Sequence, residues 1–453
     1  MRHVPSDTLR KKSAGCAIAG GVAMVLASPA FADPEAEIQA LKAQLVQQQA
    51  QIEALEKAQD AQKAVNAQIV AIPRIDQKPS TVDSSSSLSY YGIADVSVQT
   101  MNSGQGNKLA IGSGGWQSSR LGIKGQRDLG GGYKAVGLAE AGILFDTGSV
   151  GNGAVVPGIN NTSASSGAAT TTGNQIFSRQ IYAGISSASG GSLTIGRQYS
   201  GSYAIAIYGN ALGSQGYGYS GSLIPINGMP TRANNSITYF TPTVSGITGQ
   251  VLYTTGSENN TSGEVVTAPG ATTKTNDHAG RGYDLALTYA LGPVYAAVST
   301  WNVYATSYAA GETGLARKKG WQAAATYDFG VAKLAATYSG AKIDGGNYEN
   351  VTKALSKSSA WSVSGSMPFG KSRVYATYTL FNDESALDQD TKMYALAYSY
   401  DLLENTKLYA AWGRQANNRN AKYSLTDSGN LVGNVITPGA KVSGTLAGVD
   451  ISF

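Results

Sequence analysis

The chain predicts an all-β fold: a 16-stranded antiparallel transmembrane β-barrel with its third long loop folded inward, preceded by a coiled-coil helix. Three observations carry that expectation. Residues 88–453 read as segments of about ten residues in which apolar and polar side chains alternate. The connections between those segments alternate between short and long. The composition also departs from that of a soluble domain: charged residues are 14% of 453, against roughly 25% in soluble proteins. Glycine (56) and tyrosine (26) are abundant, which suits many strands with one wet and one lipid-facing side. A mean hydropathy of −0.15 does not suit a bundle of transmembrane helices.

Residues 1–32 have the form of a signal peptide. Arg10, Lys11 and Lys12 make a basic start, 15–26 a short apolar core, and Ala30-Phe31-Ala32 a cleavage site. About 12 apolar residues are too few to cross a bilayer as a helix. The one cysteine, Cys16, lies in this leader, so disulfide and thiol chemistry are not expected of the mature chain.

Residues 33–72 change character and are rich in Ala, Gln, Glu and Leu. Ile38, Leu45 and Ile52 occupy a positions of a heptad, and Leu41, Leu55 and Ile69 occupy d positions. The other core positions, Gln48, Gln59, Gln62 and Asn66, are polar and lie mostly in the second half. Such a helix is marginal alone in water, so a coiled coil with copies of itself is expected. Pro73, Pro79 and the serines at 84–87 make residues 73–87 a linker.

The barrel occupies residues 88–453. Tyr91-Gly92-Ile93-Ala94-Asp95-Val96 opens the alternation, and 321–329, 374–381 and 407–413 continue it. Short turns are expected at 127–132, 187–191, 242–246, 292–293, 330, 370–371 and 403–406. Long connections are expected at 101–114, 146–174, 201–231, 256–280, 306–317, 343–357, 382–390 and 418–438. Short turns on one rim and long loops on the other is the plan of outer-membrane barrels. An even strand count lets the last strand close on the first and leaves no open edge. Helix 33–72 then projects from the short-turn side, into the periplasm. Val449, Ile451 and Phe453 share one face of the last segment, and a terminal Phe453 resembles the signal read by the outer-membrane insertion machinery.

The third long connection stands apart. From Thr147 to Ser257 there is no Asp or Glu, and the only charges are Arg179, Arg197 and Arg232. The Tyr/Gly/Ser stretch at 199–231 is far longer than a hairpin requires, so it is expected to fold inward and narrow a water-filled barrel.

Four blocks resemble the trimeric Gram-negative porins, in particular their anion-selective β-proteobacterial branch. They are Ser119-Arg120-Leu121-Gly122-Ile123-Lys124-Gly125 with the turn that begins at Asp128, then Phe177-Ser178-Arg179-Gln180, then Gly196-Arg197-Gln198, then Arg232-Ala233-Asn234-Asn235-Ser236-Ile237. The resemblance covers most of 88–453 and implies a homotrimer in the outer membrane, in contact with lipid and lipopolysaccharide. It implies that Arg120, Arg179 and Arg232 line the pore constriction. Helix 33–72 is not part of the ordinary family pattern; a few porin-like channels carry periplasmic coiled-coil extensions, and contact with peptidoglycan is one use for it.

Alternation supports Arg120 independently. Leu121 and Ile123 suit lipid, so Arg120 and Lys124 face the lumen; charge on the lipid face would cost a few kcal/mol at mid-depth. Alternation does not decide Arg179. Arg197, Lys124, Asp95 and Glu140 are further lumen candidates, the two acids as a possible balance to the arginines. Tyr199, Tyr203, Tyr208, Tyr217 and Tyr219 of the third loop either pack it against the wall or offer stacking surface to a solute. Enzymatic function is not expected: His278 is the one histidine beyond the leader, with no nucleophile motif beside it. No metal cluster, phosphate loop or basic nucleic-acid patch is read, and no cofactor is expected. The expected function is passive diffusion of small hydrophilic solutes and ions with anions preferred. The alternatives are a channel specific for organic anions such as dicarboxylates or phosphate, and a structural tether from outer membrane to cell wall.

Overall fold

The computed structural model describes residues 86–104, 106–151, 176–218, 231–256, 263–268, 271–275, 280–304, 316–344, 356–427, 430–431 and 437–453, together with Gln49. The signal peptide, the heptad residues, the linker as far as residue 85, Tyr219 and His278 lie outside the described residues. All elements below belong to the compact unit Ile75–Phe453.

Alternation becomes geometry most plainly in Thr391–Leu403. Thr391, Met393, Ala395, Ala397 and Ser399 are buried, while Lys392, Tyr394, Leu396 and Tyr398 are exposed. In a strand, successive side chains point to opposite faces. Here the inner face carries small and polar groups, and the outer face carries the bulky apolar ones that meet lipid. The same division recurs on the other strands, with Trp321, Tyr338, Trp361 and Leu408 outside and Gln322, Ser339, Ser362 and Tyr409 inside.

Sixteen strands go round the barrel. They are β1 (Ser87–Asn102), β2 (Arg120–Gly130), β3 (Tyr133–Ile143), β4 (Gln180–Ser187), β5 (Gly191–Tyr199), β6 (Arg232–Phe240), β7 (Ile247–Thr254) and β8 (Gly282–Leu291). They continue as β9 (Val294–Tyr304), β10 (Arg317–Asp328), β11 (Lys333–Asp344), β12 (Lys357–Phe369), β13 (Ser372–Asp383), β14 (Thr391–Leu403), β15 (Thr406–Asn417) and β16 (Lys441–Ser452). Neighbours in sequence pair antiparallel, and β1 closes on β16 from Ile93↔Ser452 to Asn102↔Ser443. Phe453 exchanges backbone hydrogen bonds with Gly92 just past the last strand (2.8 and 3.1 Å). The seven short and eight long connections fall where the sequence places them. The tightest turns are two residues long, and Gly370 supplies the left-handed backbone of one (φ +60°).

Two of the long connections send residues into the lumen that the sequence reading left outside it. Loop 1 (103–119) carries a strand, Asn107–Ser113, paired to the upper part of β1, and then turns inward. Its Trp116 is fully buried, stacked on Tyr409 (5.2 Å) and edge-on to Tyr375 (5.6 Å). Loop 8 (418–440) brings Ala421, Tyr423 and Leu425 into the same cluster, Tyr423 edge-on to Phe381. Loop 3 joins them through Leu212 and Tyr217. Chain parity speaks for strands only, and loop length did not mark loops 1 and 8 as turning inward.

Loop 3 folds inward over its described residues 200–218, as expected. Its first turn is α1 (Gly201–Tyr208), capped by Ser200, whose Oγ accepts from Tyr203 N–H (3.3 Å). Ile205 packs on Ala286, Ala297 and Ala324 of β8, β9 and β10, and Ala206 beside it is fully buried. Asp284 of β8 accepts from the backbone N–H of Ser202 (3.2 Å) and from its hydroxyl. At the far end Thr337 Oγ1 donates to Gly209 C=O, and Ala211 N–H donates to Ser364 Oγ (each 2.8 Å). The loop therefore runs along the inner wall from β8 to β12, and Tyr217 then meets β15 at Gly413.

Candidate functional site

The arginines converge where strands depart from regular pairing. Arg120 is the simple case. Leu121 and Ile123 are exposed outside, so Arg120 points in, and its Nε donates to the Ser118 carbonyl (2.8 Å). Opposite, on β3, Glu140 is 2% exposed. It receives Arg179 Nε (2.6 Å) and the Tyr91 hydroxyl (2.8 Å), and lies 3.9 Å from Arg120 Nη1.

Arg179 shows why alternation left it undecided. On β4, Ile181, Ala183 and Ile185 are exposed outside while Gln180 is buried inside. Extended backwards, that pattern would aim Arg179 at lipid. The ladder starts at Gln180, however, and one residue earlier the Arg179 N–H donates to the Glu140 carbonyl (3.2 Å). The backbone has left the strand, and the side chain turns inward and is buried.

Arg197 and Arg232 depend on a bulge. β5 pairs Gly196 with Ser236 and resumes at Gln198 with Ala233, so Arg197 faces Asn234 and Asn235 together. Gly196 (φ +137°) and Asn235 (φ +48°) carry the distortion. A Cβ on Gly196 would press on the β4 backbone, 2.8 Å from Tyr182 Cα, which explains the glycine. The bulge lets Arg197 and Gln198 both be buried. Arg197 then braces the segment before β4: Nε donates to the Ser178 carbonyl (3.0 Å) and Nη1 to Asn234 Oδ1 (2.5 Å).

Tyr199 joins the group. Its hydroxyl accepts from Arg179 Nη2 (2.7 Å) and Arg232 Nη2 (2.9 Å). The Arg232 guanidinium also sits 4.6 Å from the Tyr199 ring centroid. The Tyr203 ring stacks on Tyr199 (5.0 Å, 16° between planes). Arg120, Arg179 and Arg232 against Glu140 leave a formal excess of two positive charges. Arg179 and Arg232 are 4% and 5% exposed; the Arg120 side chain, at 18%, is the most open to the lumen.

The remaining candidates separate by place. Lys124 is exposed, with its ammonium 6.0 Å from the Tyr91 ring. Asp95 does not reach the arginines. It is fully buried and accepts from the backbone N–H of Trp116 (2.8 Å) and Gln117 (2.6 Å) and from the Tyr409 hydroxyl; it holds loop 1 on the wall. Tyr208 lies beside Tyr295 (6.0 Å), and Tyr217 is fully buried against β15. Sequence reasoning missed Trp116, Tyr409 and Asp284. A lone Trp between glycine and serine runs was the available signal for the first; nothing local marked the others. Among the described residues no group of three or more His, Cys, Asp or Glu could hold a metal ion.

A closed barrel with an apolar exterior, inward loops and a cationic inner wall defines an outer-membrane channel of the β-barrel class. The chain belongs to the Gram-negative porin family, which it matches over residues 22–420, and its place is the Gram-negative outer membrane. It is similar to an outer membrane porin protein of Bordetella pertussis, 28% identical over 324 residues, 66% of this chain and 77% of the relative. In fold it is similar to an anion-selective porin from Comamonas acidovorans (TM-score 0.63, 21% identity, 82% of this chain, 100% of the other). It is also similar to the trimer form of OmpT from Vibrio cholerae (TM-score 0.58, 16% identity, 82% and 100%).

Proposed function

We propose that this porin passes small hydrophilic solutes and ions by passive diffusion and prefers anions, with Arg120, Arg179 and Arg232 setting the preference. The observation that carries the reading is the charge imbalance: Arg120 and Arg179 share the Glu140 carboxylate, and Arg232 joins them through the Tyr199 hydroxyl, so three guanidinium groups meet one carboxylate. Guanidinium stays charged at any relevant pH. At about 10 Å from a passing ion, one such charge is worth about 0.4 kcal/mol at water's dielectric constant and about 1.7 kcal/mol at an effective value of 20. That magnitude suffices to select and is too small to trap a small ion, the balance conduction requires. The similar Comamonas acidovorans porin is described as anion-selective, which supports the same preference here.

The working assembly is a homotrimer, a state reported for the OmpT relative in its trimer form. The proposed layout is a signal peptide at 1–32, a periplasmic coiled-coil helix at 33–72, a linker at 73–87 and the barrel at 88–453. Phe453 would be read by the insertion machinery, and the helix would bundle with its copies.

The test is the reversal potential of the purified protein in a planar bilayer under a KCl gradient. Wild type is expected to favour chloride, and Arg120→Ala, Arg179→Ala and Arg232→Ala each to lower that preference, Arg120→Ala through the most lumen-exposed charge. Channels indifferent to all three substitutions would place the selectivity elsewhere.

A further inference from the structure

The loop face beside the arginines is apolar. α1 reads GSYAIAIY and has no charged side chain. Ile205 is spent on the wall, against Ala286, Ala297 and Ala324, and Ala206 is buried with it. Tyr203, Ala204, Ile207 and Tyr208 form the other face and remain half-exposed. With the wall on one side of the helix, that face opens to the lumen. A channel that only conducts small ions gains nothing from apolar surface at this point, since unpaired apolar area in water is unfavourable.

Its neighbours give the surface a use. Tyr203 stacks on Tyr199, and Tyr199 holds Arg179 and Arg232 by its hydroxyl. Guanidinium groups, an aromatic pair and an aliphatic helix face therefore follow one another, Tyr203 to Ile207 covering about one helical turn, or about 5 Å. The guanidinium of the cluster that a lumen ligand reaches most readily is that of Arg120, whose side chain is 18% exposed. A ligand matching this strip has one anionic end and one flat apolar end. We propose that it binds small aromatic monocarboxylates, the carboxylate on the guanidinium groups and the ring against Tyr203 and Ile207. Aromatic pairs favour offset or edge contacts of this kind. A carboxylate without a ring, such as acetate, uses mainly the charged end. A dicarboxylate finds no second cation along α1. The inference rests on the anion-preferring reading and deepens it.

The experiment titrates benzoate and acetate into KCl around the purified full-length protein in a planar bilayer and reads the concentration that halves the chloride current. Benzoate is expected to act at about fivefold lower concentration than acetate, the change that follows when about 40 Å² of ring leaves water. Benzyl alcohol, uncharged, is expected to leave the current unaltered. Ile207→Ser should bring benzoate toward acetate, and Arg120→Ala should raise both concentrations together. Equal concentrations for benzoate and acetate in wild type, or no block by either, would overturn the site. The reversal potential in the same membranes separates the two levels: chloride preference with no benzoate advantage removes only this inference, whereas absence of chloride preference removes the reading beneath it.

Discussion

At the residue scale, the proposed anion preference makes Glu140 the carboxylate that offsets the arginine charge. It is almost fully buried, is paired to Arg179 at 2.6 Å and also receives the Tyr91 hydroxyl. Glu140→Gln keeps the shape and removes the carboxylate that, among the described residues, pairs with Arg120 and Arg179, so it should act in the direction opposite to the arginine substitutions. Chloride preference is expected to rise. Stability is expected to fall by about 3 kcal/mol, because breaking a buried pair leaves an uncompensated charge. A reversal potential compared with wild type, alongside thermal unfolding of the purified protein, checks both signs; a Glu140→Gln channel less anion-preferring than wild type would contradict the proposed eyelet. Arg120 was legible from its neighbours because Leu121 and Ile123 fix the parity of a regular strand. Arg179, Arg197 and Arg232 were not legible in that way. One sits a residue before its strand and the others straddle a bulge, and period-two reasoning holds only where the ladder is unbroken. The third arginine's partner was equally hidden: Tyr199 was an aromatic of the loop in sequence and is an acceptor for two guanidinium groups in space.

At the element scale, loop 3 is held by the wall more than by itself. Eight residues are too few for a stable helix in water, and α1 draws its order from contacts at both ends. Asp284 sits at its positive end, where a carboxylate is favoured both as a hydrogen-bond acceptor and against the helix dipole. The loop has no acid of its own, so the barrel supplies one. Asp284→Ala should weaken the attachment by about 1–2 kcal/mol. The expected result in single-channel records is greater open-channel current noise and a less uniform conductance, with the reversal potential moving less than in Arg120→Ala. Noise and conductance identical to wild type would mean that the apolar packing of Ile205 and Ala206 holds the helix alone. That loop 3 turns inward could be read from its length and lack of acids. That loops 1 and 8 turn inward could not, because their anchors are tertiary: Asp95 reaches the loop-1 backbone from β1, and Tyr423 meets Phe381 of β13.

At the scale of the whole molecule, strand count, turn order and closure were legible because the alternation recurs in sixteen strands and a barrel admits no open edge. Every charged group invoked for selectivity lies between Arg120 and Arg232, inside the barrel. The segment 35–70 lies outside that stretch of sequence, so under the proposed reading its deletion leaves ion choice unchanged and separates the channel reading from the tether reading. The deletion leaves the linker and β1 in place. The truncated protein is expected to give the same reversal potential and the same response to Arg120→Ala as the full chain. Its trimers are expected to dissociate at lower temperature in detergent, because the heptad positions Ile38, Leu41, Leu45, Ile52 and Leu55 are the ones available to join copies outside the barrel. Cells carrying only the truncated form report on the second reading: an intact envelope with unchanged conductance is the porin outcome, and a leaky or detached outer membrane around a normally conducting channel would make the segment a tether in its own right.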